Sequence, residues 1–174
     1  MIIRQAQVGD EARLAELNVF VQALHVSERP DYFKPADREE VAAWFRSLFD
    51  KPKARLWAAE EAGALLGYAL VLRKERAENP FCWQRQWHEL DQISVEPSSR
   101  RKGVARALIE KVCAEAAAEG VSDVEVSSWA FNSVAHEAFE RCGFKPRMLR
   151  FEATRTAASP PVQPKREPSG GDTT

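Results

Sequence analysis

The sequence predicts a single α/β domain, and three observations lead to this fold class. The chain has 174 residues, of which 44% are hydrophobic, enough to bury one core at this length. Runs with helical spacing and runs with strand character are mixed along the chain. A strand-like run also leads through a basic, glycine-containing turn at 100–105 into an amphipathic helix. We therefore expect one folded domain over residues 1–154.

Periodicity and capping residues predict the order of the elements. Apolar residues at helical spacing indicate four helices, and apolar-rich runs bounded by turn residues indicate six strands. The predicted elements are strand 2–7, a helix after Asp10, a helix after the capping box of Asp37 and Glu40, strands 55–60, 65–74 and 81–95, a helix from Val104 to Gly120, strand 124–129, a helix capped by Asn132 or Ser133, and strand 144–154. Residues 155–174 are rich in proline and poor in apolar residues, which predicts a disordered tail.

Charge and cysteine content exclude several classes of function. The formal net charge is −1, with both signs interspersed, so no extended field would attract nucleic acid or an anionic membrane. The three cysteines are widely spaced without a CxxC pair, and the N-terminus lacks the pattern of a signal peptide. No apolar run is long enough to span a bilayer. We expect a cytoplasmic protein with reduced thiols and no nucleic-acid or membrane partner.

The basic turn Arg100-Arg101-Lys102-Gly103-Val104-Ala105 is a candidate anion site. The first N–H groups of a helix have no partner within the helix and are free for an anion. Gly103 lets a phosphate approach the backbone, and three basic side chains add charge at the positive end of the helix dipole. Taken alone, the turn is equally well explained as a solvated basic loop. It lacks the glycine patterns of P-loop and dinucleotide-binding folds.

Two motifs in a set order give this turn a context. The form [Gln/Arg]-x-x-Gly-x-[Gly/Ala] is filled by Arg100, Gly103 and Ala105, after the strand Leu90-Asp-Gln-Ile-Ser-Val-Glu-Pro97. Downstream, the form Asn-x-x-Ala-x-x-x-[aromatic]-Glu-x-x-Gly-Phe is matched at Asn132, Ala135, Phe139, Glu140, Gly143 and Phe144. Over about residues 1–154, the chain resembles the GNAT superfamily of acyl-CoA N-acyltransferases.

The resemblance implies a fold and a donor substrate. The GNAT fold has a mixed, mostly antiparallel sheet of about six or seven strands with about four helices, splayed between the fourth and fifth strands. The strand before the turn carries a bulge in this family, and the pantetheine arm of coenzyme A pairs with it. By resemblance, the residues that contact acetyl-CoA are Ile93, Ser94, Val95, Arg100, Arg101, Lys102, Gly103, Val104, Ala105, Arg106, Asn132 and Phe139. The backbone N–H groups of Ile93 and Val95 would polarise the thioester carbonyl. Asn132 is equally well explained as a plain helix cap.

Transfer to an amine requires a base, because an alkylammonium ion must lose a proton before it attacks. Glu89 and Asp91 are the candidates. They alternate with Ile93 along the strand, so all three are expected to face the cleft unless a bulge changes the alternation. Glu89 resembles in position the catalytic glutamate of the histone-acetylating branch, and our hypothesis makes it the base. The alternative is a surface carboxylate paired with Arg85 or a nearby lysine.

One position departs from a frequent family pattern. The aromatic residue before Glu140 is often a tyrosine that protonates the leaving thiolate, and here it is Phe139. A thiolate with a solution pKa of about 8.5 can leave without an enzymic acid, and Ser128, Ser133 or a water are the substitutes. Two functions follow. The first is acetyl transfer from acetyl-CoA to a primary amine of a small molecule or peptide, by direct attack in a ternary complex. The second is a catalytically idle acyl-CoA-binding sensor or interaction module.

The acceptor side is predicted from the connection after the first helix, which borders the cleft in this family. Asp31 and Tyr32 would bind a cation or stack on a ring, and His25 stands at the end of the helix. Asp31 is also an ordinary turn residue beside Pro30, and a histidine at a helix end is more often structural. Only one strand is predicted after the last helix, which leaves the far wall open to a second subunit of a homodimer. No metal is expected, because the histidines have no ligand spacing with the cysteines.

Overall fold

The computed structural model describes residues 1–153, in which a five-stranded sheet lies between two pairs of helices. The strands are β1 (Ile2–Gln5), β2 (Ala54–Glu61), β3 (Ala64–Arg76), β4 (Arg85–Val95) and β5 (Val124–Val126). The helices are α1 (Glu11–Glu28), α2 (Arg38–Leu48), α3 (Val104–Ala118) and α4 (Ser133–Arg141), with a 3-10 turn at Pro97–Ser99. None of the helices described here has both the length and the apolar character needed to cross a bilayer.

The strands follow the chain order across the sheet, from β1 at one edge to β5 at the other. The first four strands pair antiparallel, and β4 pairs with β5 in parallel. The predicted mixed, mostly antiparallel sheet is therefore confirmed. Within residues 1–153 it has five strands instead of the six or seven expected.

The missing strand is the one predicted over 144–154, since residues 144–153 form no ladder. Pro146 has no N–H group to donate to a neighbouring strand, which interrupts pairing near the start of this segment. The Arg147 guanidinium instead pairs with the Glu125 carboxylate on β5. The predicted tail at 155–174 lies outside the described residues.

Two strand boundaries also differ from prediction. β4 begins at Arg85 and not at Phe81, because residues 79–82 form a tight turn. The Asn79 side-chain oxygen accepts the Phe81 N–H at 2.9 Å, and this local bond competes with strand pairing. β5 ends at Val126, three residues before the predicted end.

Each face of the sheet buries its own hydrophobic cluster. On one face α1 and α2 cover the sheet, where Leu14, Leu17 and Phe45 pack against Leu56, Tyr68 and Leu70. On the other face α3 and α4 cover it, where Val104, Leu108, Val112 and Phe139 pack against Trp57, Val71 and Leu90. We call these the α1/α2 face and the α3/α4 face. The central strands are buried from both sides, so β3 reads as a nearly continuous apolar run.

Two of the three predicted N-caps are confirmed. The Asp37 carboxylate accepts the Glu40 N–H at 2.9 Å at the start of α2, and the Asn132 side chain accepts the Ala135 N–H at 3.2 Å at the start of α4. Asp10 precedes α1 but makes no side-chain bond to that helix. Its carboxylate instead accepts from Arg4 and from the Gln7 N–H, both at 2.8 Å, because the strand-to-helix turn brings these groups closer.

Candidate active site

The backbone N–H groups at the start of α3 have no hydrogen-bond partners within the helix. The first helical bond runs from the Ala107 N–H to the Gly103 carbonyl, so the N–H groups of Val104, Ala105 and Arg106 have no partner inside the helix. Gly103 is the N-cap and has no side chain to occupy them. A Cβ at this glycine would meet nothing within 4 Å, so the space beside the turn is free. This geometry fits an anion such as the pyrophosphate of coenzyme A.

The backbone of the turn is held in an uncommon conformation. Gly103 has a φ of 84°, and Arg101, which is not a glycine, has a φ of 61°. A left-handed conformation costs an L-residue about 1–2 kcal/mol. Strain of this kind concentrates at ligand-binding turns, where it helps aim backbone N–H groups.

The basic side chains at the turn are also accessible to a ligand. Arg100, Arg101 and Lys102 are exposed, and within residues 1–153 none of them has a carboxylate within ion-pair distance. The first turn of α3 contains no acidic residue. Arg106 differs, because its guanidinium pairs with Glu110 one turn along at 2.7 Å. Arg100 donates through Nε to the Val95 carbonyl at 3.2 Å. The structure therefore leaves the side chains of Arg101 and Lys102, and the outer N–H groups of Arg100, available for a ligand.

The sheet opens beside this turn. β5 pairs with β4 only at His88, Glu89 and Leu90. The rest of β4, up to Val95, continues toward the turn without β5 beside it. This is the predicted splay between the fourth and fifth strands, and it leaves one edge of Ile93–Val95 unpaired by β5.

A β-bulge divides β4 into two halves. Leu90 lies opposite Val71 and Gln92 lies opposite Leu70, so Asp91 is an inserted residue with no partner on β3. One inserted residue reverses which side chains face each side of the sheet. Leu90 therefore packs on the α3/α4 face, and so does Ile93, three residues further on.

The bulge corrects the expectation that Glu89, Asp91 and Ile93 share a face. Glu89 lies opposite Leu72, which packs on the α1/α2 face, whereas Ile93 lies opposite Ala69 on the α3/α4 face. Val95 lies on the same face as Ile93. Glu89 and the two apolar residues are thus on opposite sides of the strand.

The surroundings of the two carboxylates differ. The Glu89 carboxylate lies 3.6 Å from the Lys74 amine. This is the pairing of a surface carboxylate with Arg85 or a nearby lysine that we gave as the alternative to a catalytic base, and the partner is the lysine. Exclusion of solvent by the protein raises the pKa of Asp91, the adjacent Glu89 charge raises it further, and Lys74 partly opposes this. The raised pKa makes the Asp91 carboxylate a stronger base than an ordinary aspartate.

Three of the residues predicted to contact the cofactor can do so only through their backbone or through apolar atoms. Ser94 is 5% exposed, and its hydroxyl donates to the Leu17 carbonyl at 2.6 Å on the α1/α2 face. Val104 is buried in the α3/α4 cluster, so only its N–H group faces the turn. Phe139 is buried in the same cluster and lies 5.9 Å from the Phe144 ring. The amide oxygen of Asn132 is occupied by its cap, although its amide nitrogen is not.

The predicted acceptor residues lie in an aromatic cluster between the α1–α2 connection and the loop before α4. The His25 ring stacks on Phe33 at 4.8 Å, and Tyr32 meets Trp129 edge-on at 5.2 Å. Burial lowers the pKa of His25, which favours its neutral form. His25 therefore acts as a packing residue in this cluster.

Asp31 is not free to bind a cation in this structure. Its carboxylate pairs with the Arg29 guanidinium at 2.8 Å, and Arg29 also pairs with Glu152 at 2.9 Å. The same guanidinium lies over the rings of Tyr32 and Trp129, at 5.7 and 5.3 Å from their centroids. Arg29 thus ties the two loops to the C-terminal segment and satisfies the charge of Asp31.

A pocket of about 320 Å³ lies on the α1/α2 face, next to the bulge. Its lining includes Asn18, Gln22, Glu40, Trp44 and Gln92. None of these residues was predicted from the sequence to bind the acceptor. A signal was present for two of them, since Asn18 interrupts the apolar stripe of Leu14 and Leu17, and Gln92 is an uncharged polar residue inside a central strand.

A sequence comparison places these features in a family. A family model described as the Acetyltransferase (GNAT) family matches residues 21–144, a range that contains the turn, the bulge and the second motif. The chain belongs to the GNAT acetyltransferase family. The resemblance carried by the two motifs is thereby confirmed.

Solved structures show the GNAT fold as well. A tetramutant of the BH1408 protein from Bacillus halodurans is 23% identical, with 89% of this chain and 100% of that chain covered and a TM-score of 0.84. The aminoglycoside N-acetyltransferase AAC(6')-Iy in complex with CoA is 19% identical, with 89% and 95% covered and a TM-score of 0.70. The aminoglycoside 6'-N-acetyltransferase AAC(6')-IG from Acinetobacter haemolyticus is 16% identical, with 90% and 100% covered and a TM-score of 0.65. At these identities the likeness is one of fold.

Among residues 1–153, no group of three or more histidine, cysteine or acidic side chains is arranged to hold a metal ion. The three cysteines, Cys82, Cys113 and Cys142, are free. Cys142 packs against the α3/α4 cluster, and burial raises the pKa of its thiol, so it is a poor nucleophile there.

Proposed function

We propose that this GNAT protein is an N-acetyltransferase that moves the acetyl group of acetyl-CoA to a primary amine of a small molecule or peptide. One observation carries the proposal. β4 separates an anion-binding turn and an unpaired strand edge from a pocket and the Glu89 carboxylate on the opposite face, with Asp91 at the bulge between them. Two substrates could therefore approach the same strand from different sides and meet where the sheet splays.

On the donor side, the open N–H groups of α3 and the side chains of Arg100, Arg101 and Lys102 would hold the pyrophosphate. The unpaired edge of β4 at Ile93 and Val95 would bind the pantetheine arm through backbone hydrogen bonds. Backbone N–H groups there would polarise the thioester carbonyl, since fixed dipoles in a partly dry site stabilise developing negative charge.

On the acceptor side, the amine must be neutral when its nitrogen attacks the thioester carbonyl carbon. The new C–N bond forms, the C–S bond breaks, and the thiolate leaves. The amine proton passes to a carboxylate or to a water held by one. The raised pKa of Asp91 favours this residue as the base, while Glu89 is partly neutralised by Lys74. Glu89 as the base remains a prediction, which a comparison of Asp91→Asn with Glu89→Gln can decide.

Phe139 cannot protonate the thiolate, and it is 8% exposed within the α3/α4 cluster. Direct departure of the thiolate is consistent with this, because its solution pKa is about 8.5. Phe139 is also the one specific observation that favours the second candidate function, an idle acyl-CoA-binding module.

The test is to incubate the purified full chain with acetyl-CoA and a panel of polyamines, amino sugars, amino acids and peptides with free N-termini. The proposal expects release of free thiol together with a product heavier by one acetyl group. Thermal stabilisation by acetyl-CoA without turnover on any amine would support the idle module. Absence of both effects would also contradict the donor site.

A further inference from the structure

Gln92 takes part in a small buried network at the base of the pocket. The Tyr68 hydroxyl donates to the Gln92 side-chain oxygen at 2.9 Å. The Asn18 amide nitrogen donates to the Tyr68 oxygen at 3.0 Å and to the same Gln92 oxygen at 3.3 Å. Asn18 and Tyr68 are 8% and 0% exposed, so this triangle is shielded from water.

The donors and acceptors of the triangle match in the observed arrangement. Each of the two amide hydrogens of Asn18 makes one bond, the hydroxyl hydrogen of Tyr68 makes the third, and the Gln92 oxygen accepts two of them. If the Gln92 amide alone were turned over, its N–H groups would face the N–H groups of Asn18. Burial raises the pKa of Tyr68, which keeps the hydroxyl protonated as a donor.

This arrangement leaves the Gln92 nitrogen facing the pocket. Within the described residues, Nε2 of Gln92 makes no protein hydrogen bond, and it is not among the buried unsatisfied atoms. The residue lines the pocket, so this nitrogen has access to a ligand. A side chain fixed by two buried donors presents its remaining N–H groups in one direction.

The position of Gln92 relates these donors to the reaction. It lies between Asp91, the favoured base, and Ile93, at the strand edge proposed for the thioester. Neighbouring Cα atoms are about 3.8 Å apart, so a group held by Gln92 would lie within a few bonds of the attacking nitrogen. Glu40, Asp37 and a single lysine, Lys34, also line the pocket, and this excess of negative charge disfavours an anionic acceptor.

We propose that Gln92 determines acceptor specificity by donating its amide N–H groups to an oxygen of the substrate. The acceptor class is then a small amine that carries a hydroxyl or carbonyl oxygen within a few bonds of the amino group. This inference rests on the proposed acetyl transfer. Tyr68 and Asn18 are positioning residues, which act by holding Gln92 in one orientation.

The experiment compares matched pairs of amines that differ in one oxygen. Ethanolamine is compared with propylamine, and 2-aminocyclohexanol with cyclohexylamine. For the wild type, kcat/KM is expected to be about tenfold higher for the oxygen-bearing amine, the value of one additional hydrogen bond. In Gln92→Leu this ratio is expected to fall close to one, mainly because KM for the oxygen-bearing amine rises.

Three further variants separate specificity from folding. Gln92→Glu keeps an oxygen for Tyr68 and Asn18 but removes the pocket-facing N–H groups, and it should also lose the preference. Tyr68→Phe should lower the ratio through KM while kcat changes little, because the amide of Gln92 can then rotate. Gln86→Leu removes an exposed glutamine of the same strand and should keep the wild-type ratio. Thermal unfolding of each variant identifies loss of fold.

The failure of this inference differs from the failure of the proposed function. Turnover with equal ratios for the wild type and Gln92→Leu would overturn the role of Gln92. If no amine is acetylated, calorimetric binding of the same pairs to the CoA-saturated protein replaces turnover. Equal affinity of both members of each pair, or no binding of either, would then overturn it.

Discussion

Glu89 and Ile93, four residues apart on β4, lie on opposite faces of the sheet. Glu89 lies opposite Leu72 on the α1/α2 face, and Ile93 lies opposite Ala69 on the α3/α4 face. Regular alternation would place them on the same face, and the inserted residue Asp91 reverses it. The bulge thus separates the proposed acceptor side of the site from the proposed donor side.

Asp91→Asn is expected to reduce kcat/KM by about 100-fold, because an amide cannot accept the amine proton. In the wild type, activity should increase with pH through the raised pKa of Asp91, and this dependence should vanish in the variant. The measurement is a pH profile of kcat/KM from pH 4 upward. Glu89→Gln is the matched variant, and a larger loss there than in Asp91→Asn would return the role of base to Glu89.

The stability of Asp91→Asn should change in the opposite direction to its activity. A carboxyl whose pKa is raised in the folded state binds more protons folded than unfolded, so it lowers stability as the pH rises through and above its ordinary pKa of about 3.9. Asparagine removes this effect. The melting temperature at pH 7 should therefore stay the same or rise, and a clear fall would show that Asp91 has a structural role.

Gly67→Ala tests the close approach of β3 to the start of α3. A Cβ at Gly67 would lie 2.7 Å from the Ser94 carbonyl oxygen and 3.3 Å from the Val104 side chain. Forcing a methyl into a packed site costs about 1–3 kcal/mol. We expect a loss of this size in urea unfolding, and weaker CoA binding because α3 is displaced from β4. Ala64→Ser, at an exposed position of the same strand, is the control and should behave as wild type.

Lys102→Ala and Arg101→Ala test the pyrophosphate site. Each is expected to weaken CoA binding several-fold in low salt, and less in high salt, because exposed charges are screened. Binding of pantetheine, which has no pyrophosphate, should not change. Calorimetric titration at two ionic strengths measures both ligands. Lys53→Ala removes a lysine paired with Glu75 away from the turn and is the control; an equal effect there would argue against a local site.

Asn132 can be tested for its two roles separately. Asn132→Ala removes the cap on the Ala135 N–H and should destabilise the protein by about 1 kcal/mol. Asn132→Asp keeps a capping oxygen but replaces the amide nitrogen, so its stability should stay close to wild type. If Asn132 also holds pantetheine, Asn132→Asp will bind CoA more weakly. Wild-type CoA affinity in Asn132→Asp would leave the residue as a cap alone.

The acceptor side shows where local reasoning ends. Asp31 was predicted to bind a cation, but in the structure its charge is satisfied by Arg29, only two residues away. The same guanidinium also pairs with Glu152 in the distant C-terminal segment. The triangle of Asn18, Tyr68 and Gln92 joins one helix and two strands that are far apart in the sequence. The contact with Glu152 and the triangle have no local signature.

By itself, the sequence determined the order of the elements from β1 to α4, the N-caps at Asp37 and Asn132, and the glycine turn that opens α3. These depend on hydrogen bonds and apolar spacing within a few residues, so short-range patterns suffice. Only the tertiary structure decided the bulge at Asp91, the faces of Glu89 and Ile93, the pairing of Arg29 with Glu152 and the orientation of Gln92. Each depends on strand register or on contacts between distant segments, because a shift of one residue in register moves every side chain to the other face.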